Sequence, residues 1–375
     1  MRHEGKILVV ASGTESLKWH RMDMMAEFRR AGYEVVALGE GSEEEWEGFF
    51  EAAGIRYTQV PMSANGTNPV QDLRTLLFLR RFYSAEKPDK VFTFAAKPNI
   101  YGCLAARGRR DVEVYSMVAG LGNVVAGDSL KDRLVQAVFL AEYRVALKRA
   151  KRVFFQNDDD ARRCVDRRIA TAGQVARVNG SGVNLDHFAR RPLPEGVGFL
   201  FSGRLLESKG VLDYCRAAEV VKGAHPEVTF TVVGPFHSNP TALKAGDLRP
   251  YVESGVITYE GPQDDVRPFL EKCSAFVLPS YYGEGTPKGC LEAMAVGRAV
   301  ITTDSVGCRE VVRDGGNGFL VPPRDPEAIA EAMIRLIDDP ALAARMGEES
   351  RRMAEELFDV RKVNDVICET MGINR

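Results

Sequence analysis

The chain alternates short apolar runs with amphipathic stretches along its N-terminal half. The apolar runs have the length and composition of buried strands, and they lie at residues 7–11, 34–38, 57–60, 90–94, 113–118 and 152–156. The stretches between them have the spacing of helices, at residues 16–31, 46–53, 73–83, 99–107 and 130–149. A strand–helix alternation of this kind predicts a parallel sheet covered by helices.

A second alternation of the same kind follows residue 198. Its predicted strands are 198–202, 228–233, 257–259, 275–279 and 299–303, and its predicted helices are 211–223, 266–272, 287–296 and 326–338. The tail from residue 341 to residue 375 has the spacing of an amphipathic helix.

The pattern between residues 180 and 198 is loose and contains several glycines and prolines, which is typical of a linker. A chain of 375 residues is also too long for one ordinary core. We therefore predict two doubly wound α/β domains, at residues 1–190 and 191–357, with ligands bound in a cleft between the strand ends.

The composition, 45% apolar and 27% charged, is that of a soluble globular protein. The net charge of −2 conceals an asymmetry, because residues 1–190 carry 29 Lys and Arg against 24 Asp and Glu, whereas the remainder carries 21 against 28. The N-terminal half therefore favours an anionic partner or an anionic surface. The excess is too small to indicate nucleic acid.

Seven cysteines are scattered along the chain without a C-x-x-C pair or a Cys/His cluster. This predicts a reduced, cytoplasmic protein without disulfides or structural zinc. The first predicted strand begins at residue 7, which leaves no signal peptide, and no apolar run approaches the roughly 18 residues of a membrane span. We expect a protein that does not cross a membrane, while binding to a membrane surface stays open.

The segment from Tyr282 to Glu292 places two carboxylates around a predicted helix start. Thr286 is suited to be the N-cap and Pro287 the first helical residue, at the carboxyl end of a predicted strand, which is a natural anion site. Glu284 and Glu292 would then lie at most about 12 Å apart along the helix. Because carboxylates accept hydroxyl hydrogens, this layout suits a sugar nucleotide, with hydroxyl groups on both sides of a diphosphate. An ordinary strand–turn–helix with solvated glutamates explains the segment alone equally well.

Arg204 and Lys209 flank a turn that opens a helix, directly after the first strand of the second domain. Two cations and the helix amides would converge on a diphosphate there. Surface cations at a helix start are the alternative. The combination with the Glu284 segment, which belongs to another strand–helix unit of the same domain, favours the diphosphate.

The second domain resembles that of the retaining family-4 glycosyltransferases with the GT-B fold. The matching stretches are Gly203-Arg-Leu with Lys209-Gly, the E-x7-E pattern of Glu284 and Glu292, and residues 291–298, 303–310 and 317–322. Residues 182–188 resemble the segment that enters the nucleotide domain in this family. The E-x7-E pattern alone is a weak signal, whereas the ordered set is specific. The resemblance implies two Rossmann-like domains facing a central cleft, with a last helix at about 358–375 that packs back on the first domain.

The same resemblance implies the residue roles. Arg204 and Lys209 would neutralise the donor diphosphate, and with Glu284 they form the expected catalytic set, because fixed cations stabilise the charge that develops on the leaving group. Glu292 would bind the ribose hydroxyls. In a retaining transfer the leaving phosphate oxygen itself takes the acceptor proton, so a side-chain base is not needed. The donor-binding residues implied are Gly13, Gly203, Arg204, Lys209, Glu284, Gly285, Thr286, Pro287 and Glu292.

The N-terminal half resembles the branch of this family that extends polyprenyl-diphosphate-linked glycans, through residues 17–21, 96–102 and 118–122. This implies a UDP-sugar donor carrying a hexose or an N-acetylhexosamine, a lipid-linked acceptor, and neither a cofactor nor a metal. The acceptor-binding residues expected from it are Thr14, His20, Arg21, Lys97, Asn99, Gly120 and Gly122. The chain departs from the family in two places: the histidine common after strand 113–118 is missing, and the first loop reads Gly13-Thr14 instead of paired glycines.

Three other features have competing explanations. The run Asp158–Asp160 suggests a metal site, but it opens a predicted helix, where aspartates cap and complement the helix dipole. None of the five histidines pairs at ligand spacing, and His20 is also explained by packing. The basic, aromatic stretch 74–83 fits a helix on a membrane surface or one that covers the sheet. Peripheral association with the inner face of a membrane therefore stays an expectation.

Two other functions remain open at this stage. A sugar-nucleotide epimerase can share the two-domain fold, but it would act on the donor without an acceptor and needs acid/base residues near the sugar. A non-catalytic sugar-nucleotide-binding subunit would be expected to have lost part of the charged set in the second domain.

Overall fold

The computed structural model describes residues 4–63, 68–120, 130–237 and 242–374. The chain divides into two compact units, Met1–Ser181 with Val360–Arg375, and Gly182–Asp359. Each unit has a fully parallel sheet and its own core. Among the described residues, no helix is both long and apolar enough to cross a membrane.

The sheet of the first unit has seven parallel strands in the order β3-β2-β1-β4-β5-β6-β7. The strands are β1 Gly5–Ala11, β2 Tyr33–Gly39, β3 Arg56–Gln59, β4 Lys90–Phe94, β5 Glu113–Val118, β6 Arg152–Phe155 and β7 Val175–Arg177. Ile7 of β1 lies between Val35 of β2 and Lys90 of β4. The strand order therefore reverses between β1 and β4, and loops at such a reversal commonly bind ligands.

Within the described ranges, six helices follow strands of this sheet, and a seventh comes from the end of the chain. They are α1 Thr14–Arg30, α2 Glu43–Ala52, α3 Pro69–Glu86, α4 Ala96–Ala105, α5 Leu130–Leu147, α6 Asp158–Asp166 and, after the second unit, α13 Val360–Met371. The helices α3, α4 and α5 cover one face of the sheet and share a core with its residues, whereas α1 and α13 cover the other. Val91 of β4 lies in the core beneath α3, α4 and α5, and Phe92 lies in the core beneath α1 and α13, because successive strand residues face opposite sides of the sheet.

Helix α13 completes the first unit. Its Ile367 and Met371 are buried in the core with Leu17 of α1, and the Met371 carbonyl accepts a hydrogen bond of 3.3 Å from the Tyr115 hydroxyl. A short π-helical turn, Ala354–Phe358, and the extended Asp359 separate α13 from the preceding helix.

The second unit begins earlier than the sequence-based boundary at residue 190. Val183, Leu185 and Phe188 already lie in the core of this unit. The amide of Val183 donates to the Phe358 carbonyl at 2.7 Å, so the unit starts and ends at the same point. Downstream, the buried Arg298 donates to the carbonyls of residues 191, 192, 270 and 271, which fixes the supposed linker onto this unit.

The sheet of the second unit has six parallel strands in the order β10-β9-β8-β11-β12-β13. The strands are β8 Gly198–Ser202, β9 Thr229–Val233, β10 Thr258–Tyr259, β11 Ala275–Leu278, β12 Ala299–Thr303 and β13 Gly318–Val321. The helices are α7 Val211–Ala224, α8 Ala245–Glu253, α9 Arg267–Lys272, α10 Lys288–Val296, α11 Pro326–Asp338 and α12 Pro340–Met353. The order reverses between β8 and β11.

Three elements were absent from the sequence prediction: β7, β13 and α8. Strand β13 begins at Gly318, where a Cβ atom would come within 1.8 Å of the Val300 carbonyl oxygen, so a glycine that resembles a turn residue in fact permits close strand pairing. Helix α8 contains Pro250 in its interior, which argues against a helix when the sequence is read alone.

Candidate active site

The candidate site lies in the second unit, at the carboxyl ends of β8 and β11. These two strands are neighbours, and the strand order reverses between them. Gly203 and Arg204 follow β8, whereas the loop to Glu284 follows β11. The fold thus brings Arg204, Lys209 and Glu284 to one edge of the sheet, where parallel α/β sheets bind their ligands.

Lys209 and Glu284 form an ion pair at the centre of this site. The distance from Lys209 Nζ to Glu284 Oε1 is 2.7 Å, and the two side chains are only 13% and 12% exposed. The Ser280 hydroxyl donates to the same carboxylate oxygen at 3.1 Å. Burial alone would raise the pKa of Glu284, but the charges of Lys209 and Arg204 and the hydrogen bonds from Lys209 and Ser280 outweigh it and lower this pKa. Glu284 is therefore a carboxylate at neutral pH.

Tyr282 lies against both cations. Its ring centroid is 5.8 Å from Cζ of Arg204 and 6.0 Å from Nζ of Lys209, within the range of cation–π contacts. The Tyr282 amide donates to Ser280 Oγ at 3.3 Å, which ties the ring to the residue that also contacts Glu284. Tyr282 is not among the site residues predicted from the sequence, although it stands directly before the Gly283-Glu284 pair.

Two glycines let the loops of the site pack closely. At Gly210, whose φ is +75°, a Cβ atom would lie 2.2 Å from the Pro279 carbonyl oxygen. At Gly307, whose φ is +82°, a Cβ atom would lie 2.2 Å from the Glu284 carbonyl oxygen and 2.5 Å from that of Gly285. Both positions combine a left-handed backbone with a contact that no side chain fits, so they help to set the position of the Glu284 loop.

Helix α10 begins one residue later than the sequence predicted. Pro287 is the N-cap and Lys288 the first helical residue, so the assignment of Thr286 as N-cap and Pro287 as first residue was wrong. Pro287 keeps an extended ψ of 115°, and its carbonyl accepts from the amides of Cys290 and Leu291 at 3.1 and 3.3 Å. Helical dihedral angles therefore start only after the proline.

Glu292 lies in the second turn of α10 and is partly buried. Burial raises its pKa to about 7; the Lys288 charge opposes this rise, and the Asp265 charge adds to it. In contrast to Glu284, this carboxyl changes its charge near neutral pH. Without a ligand, the Glu292 carboxyl is therefore only partly ionised at pH 7.

Thr14 and Asn99, two expected acceptor residues of the first unit, are fully engaged within the protein. The Thr14 hydroxyl contacts the Tyr57 hydroxyl at 2.9 Å and accepts from the Gly41 amide at 2.8 Å. Asn99 is buried; it accepts from the Thr93 hydroxyl at 2.6 Å and donates to Tyr143 and to the Met117 carbonyl. In this structure both side chains join elements of the first unit.

Arg21 and Lys97, the two expected acceptor cations, also have partners within the first unit. Arg21 is 1% exposed; its guanidinium lies 4.1 Å from the Phe94 ring, and Nη2 donates to the Met117 sulfur at 2.8 Å. Its Nε has no partner among the described residues, and burial lowers its pKa to about 9. Lys97 forms an ion pair of 2.9 Å with Asp72. Arg21 is thus enclosed in the first unit, and the charge of Lys97 is compensated by Asp72.

Of the remaining expected residues, Gly13, Gly120 and Gly203 lie in loops that follow strands, whereas His20 lies within α1. Gly13 is the N-cap of α1, and Gly120 follows β5 with a φ of +90°. His20 is partly buried, with its ring 6.2 Å from that of Phe94. Gly203 donates its amide to the Val233 carbonyl at 3.0 Å at the end of β8. Gly122 lies outside the described residues.

The run Asp158–Asp160 is used within the first unit. Asn157, and not an aspartate, is the N-cap of α6, since its side chain accepts from the Asp160 amide. Asp158 contacts Arg177 at 3.1 Å, and Asp159 contacts Arg162 at 2.8 Å. Within the described ranges, no group of three or more His, Cys, Asp or Glu side chains has a metal-binding arrangement. All seven cysteines are free and buried, and burial raises the pKa of Cys308, with the charge of Glu284 adding to this rise.

Comparisons with known proteins identify the family of the chain. The family model "Glycosyl transferases group 1" matches residues 196–339, and "Glycosyl transferase 4-like domain" matches residues 17–180. The chain belongs to the family-4 glycosyltransferases. It lies in the branch whose members act on undecaprenyl-diphosphate-linked glycans, so the resemblance inferred from the sequence is confirmed.

Two relatives of this glycosyltransferase match over most of their length. One, from Campylobacter jejuni, is named N,N'-diacetylbacillosaminyl-diphospho-undecaprenol alpha-1,3-N-acetylgalactosaminyltransferase; it is 24% identical over 80% of this chain and 81% of its own length. The other, from Escherichia coli, is named UDP-Gal:alpha-D-GlcNAc-diphosphoundecaprenol alpha-1,3-galactosyltransferase; it is 26% identical over 84% of this chain and 82% of its own length.

Solved structures confirm the fold class. Sucrose-phosphate synthase from Thermosynechococcus elongatus aligns with a TM-score of 0.78 and 18% identity over 98% of both chains. Anabaena HepE in complex with UDP aligns with a TM-score of 0.77 and 16% identity over 98% of this chain and 99% of its own. The prediction of a GT-B fold is therefore confirmed.

Proposed function

We propose that this glycosyltransferase moves a hexose or an N-acetylhexosamine from a UDP-sugar to a polyprenyl-diphosphate-linked glycan, with retention of the anomeric configuration. The observation that carries the proposal is the arrangement of Arg204, Lys209 and Glu284 around Tyr282 at the strand-order reversal of the second unit. The products would enter a surface polysaccharide or a glycoprotein glycan.

The donor diphosphate would replace Glu284 as the anionic partner of Arg204 and Lys209. Without a donor, Glu284 compensates the charge of Lys209 in a site that is largely shielded from water. An entering diphosphate offers Arg204 and Lys209 stronger anionic partners and frees the Glu284 carboxylate to accept hydrogen bonds from sugar hydroxyls. The Glu284 carboxylate would thus compensate Lys209 when the site is empty and accept hydrogen bonds from the sugar when the donor is bound.

Arg204 and Lys209 would then assist the breaking of the bond between the sugar and the diphosphate. As the bond from the sugar to the diphosphate lengthens, negative charge accumulates on the leaving oxygen, and cations already in place stabilise it more than they stabilise the ground state. The leaving oxygen takes the proton of the acceptor hydroxyl while that hydroxyl attacks the same face of the sugar. The proton balance closes without a side-chain base and without a metal.

The acceptor and the donor are proposed from the relatives. Two relatives that match over most of their length are named for sugars carried on diphospho-undecaprenol, a polyprenyl diphosphate, and one of the two is named for a UDP-sugar donor. HepE, which shares the fold, has been crystallised with UDP and with UDP-glucose. A lipid-linked acceptor places the reaction at a membrane surface, with the first unit binding the acceptor and the second binding the nucleotide.

The direct test is a turnover assay of the purified chain with a panel of UDP-sugars and a polyprenyl-diphosphate glycan. We expect UDP release that depends on the acceptor and that persists in EDTA, and a product whose new linkage has the anomeric configuration of the donor by NMR. An inverted linkage would refute the retaining mechanism. Conversion of the donor without any acceptor would identify an epimerase, and binding without turnover would identify a non-catalytic subunit.

A further inference from the structure

Two helices on one face of the first unit expose apolar stripes to solvent. On α3 the exposed large apolar residues are Val70, Leu73 and Leu77, and on α5 they are Leu134, Val135, Val138 and Val145. Together they make up more than half of the exposed large apolar side chains among the described residues. Such an accumulation on one layer of helices marks a surface that another phase or molecule covers.

The stripe on α5 is a regular second face of the helix. Leu134, Val138 and Val145 recur at helical spacing on the outer side, while Tyr143, Ala146 and Leu147 are buried against the rest of the unit. At 1.5 Å per residue the outer stripe is about 16 Å long. A helix that only covers a sheet needs one apolar face, so the second face of α5 is not explained by folding.

Basic side chains flank both stripes. On α3, Arg74, Arg80 and Arg81 are exposed beside the apolar residues. On α5 the exposed Arg133 and Arg144 lie on one side of the stripe, and the exposed Lys148 follows directly after the helix. Among the side chains of α3 and α5 that the structure describes, the exposed carboxylate is Glu142, whereas Asp72 and Glu86 of α3 are paired with Lys97 and Arg56. An apolar strip with a cationic border matches the acyl region and the anionic headgroups of a bilayer.

The position of the stripes agrees with this occupant. Helices α3 and α5 follow β3 and β5 of a parallel sheet, so their N-terminal turns lie at its carboxyl edge, as do the loops that hold Gly13 and Gly120. Both pack against α4, which is almost completely buried between them and the sheet. The stripes thus start at the edge where a lipid-linked acceptor would be bound.

We propose that the outer faces of α3 and α5 together dock the first unit onto an anionic phospholipid surface. This inference rests on the proposed function in one respect, since a lipid-linked acceptor supplies the reason for docking. It differs from the sequence-based suggestion for residues 74–83 because α5 contributes the longer apolar stripe, whereas α3 contributes apolar residues 70–77 and the arginines between residues 74 and 81.

The test uses the full chain and vesicles of phosphatidylcholine with or without phosphatidylglycerol, in a sedimentation assay. We expect binding to the anionic vesicles that weakens with salt, and a loss of at least about tenfold in the partition constant for the double variant L134S/V138S. The double variant R80E/R81E should lose more than tenfold on anionic vesicles and little on neutral ones, because each cation near such a surface contributes about fivefold. The matched control is V220S/V252S, which changes two exposed valines of the second unit and should bind as the wild type does.

Turnover separates this inference from the proposed function. With an acceptor carrying a short, water-soluble lipid, both docking variants should keep wild-type kcat, whereas with acceptor in vesicles their rates should fall. The inference is overturned if the wild type does not bind anionic vesicles or if the control variant loses as much binding. It is also overturned if sedimentation velocity shows a wild-type dimer that L134S/V138S dissociates, since a second copy would then cover this face.

Discussion

Replacing Glu284 by alanine tests the central ion pair most directly. The variant leaves Lys209 and Arg204 near one aromatic ring without the carboxylate that now compensates them. At 2.7 Å and an effective dielectric constant of 20, the attraction between Lys209 and Glu284 is about 6 kcal/mol before desolvation is counted. Loss of one partner of a buried pair typically costs about 3 kcal/mol of stability.

We expect this loss to appear as a lower melting temperature of the second unit, by about 6–12 °C in the absence of ligand. The pKa of Glu284 is lowered, so the stabilisation is present above the ordinary value of 4.5 and is lost as the pH falls through the lowered pKa. The difference in stability between wild type and variant should therefore shrink in acid.

UDP should restore part of the stability that Glu284→Ala loses. Its diphosphate supplies the anion that the two cations of the variant lack, so UDP should raise the melting temperature of the variant by more than that of the wild type. Transfer should nevertheless fall by about 10²-fold or more, because the carboxylate that accepts the sugar hydroxyls is gone. Glu331→Ala, at an exposed position of α11, is the control and should leave all three quantities unchanged.

The measurements are thermal unfolding with and without UDP, UDP affinity by calorimetry, and turnover. Full turnover by Glu284→Ala would refute the role of this residue in transfer. If UDP raises the melting temperature of Glu284→Ala by less than that of the wild type, the diphosphate does not replace Glu284 as the partner of the two cations. Glu284→Gln, which keeps the size and the contact with Ser280, should resemble Glu284→Ala in both tests.

Four further outcomes are expected. Arg204→Ala or Lys209→Ala should each lower kcat by about 10²-fold or more, and wild-type kinetics in either variant would exclude the diphosphate assignment. Because the pKa of Glu292 is raised to about 7, the UDP affinity of the wild type relative to that of Glu292→Gln should increase as the pH rises from 6 to 8, since ionisation of UDP itself affects both proteins alike; a ratio that does not change with pH in calorimetry would contradict the role of Glu292. Tyr282→Phe should keep near-wild-type kinetics, whereas Tyr282→Ala should raise the donor KM several-fold by releasing the two cations; equal kinetics of the two variants would contradict the ring's role. Gly307→Ala should lower both stability and kcat, since its Cβ would lie 2.2 Å from the Glu284 carbonyl; unchanged melting would show that the loop gives way.

Much of the architecture was predictable because parallel strands are buried on both faces. Such strands appear in the sequence as short apolar runs, and β1, β4, β5, β8 and β12 were all located in this way. Strand β13 was missed because its first residue is a glycine that the neighbouring strand requires. The local apolar pattern of the sequence indicates that a segment is buried, but it does not indicate which neighbouring strand packs against it.

The charged residues of the second unit could be proposed because they follow two strands that a doubly wound sheet places side by side. The start of α10 could not be placed as well, since the extended ψ of Pro287 shifts it by one residue. In the first unit, sequence reasoning identified residues near the sheet edge but not their partners. Asn99 is held by Thr93 and Tyr143, and Thr14 by Tyr57, through hydrogen bonds that join distant parts of the chain.

The sequence by itself determined the alternation of strands and helices, the two-domain organisation, and the order of charged residues that identifies the family. These depend on composition and spacing along the chain, which folding does not alter. Only the tertiary structure decided that Lys209 is compensated by Glu284, that Arg21 is enclosed, and that α5 exposes a second apolar face. The reason is physical: the charge state, the availability and the exposure of a side chain are set by neighbours in space, and most of those neighbours are remote in the sequence.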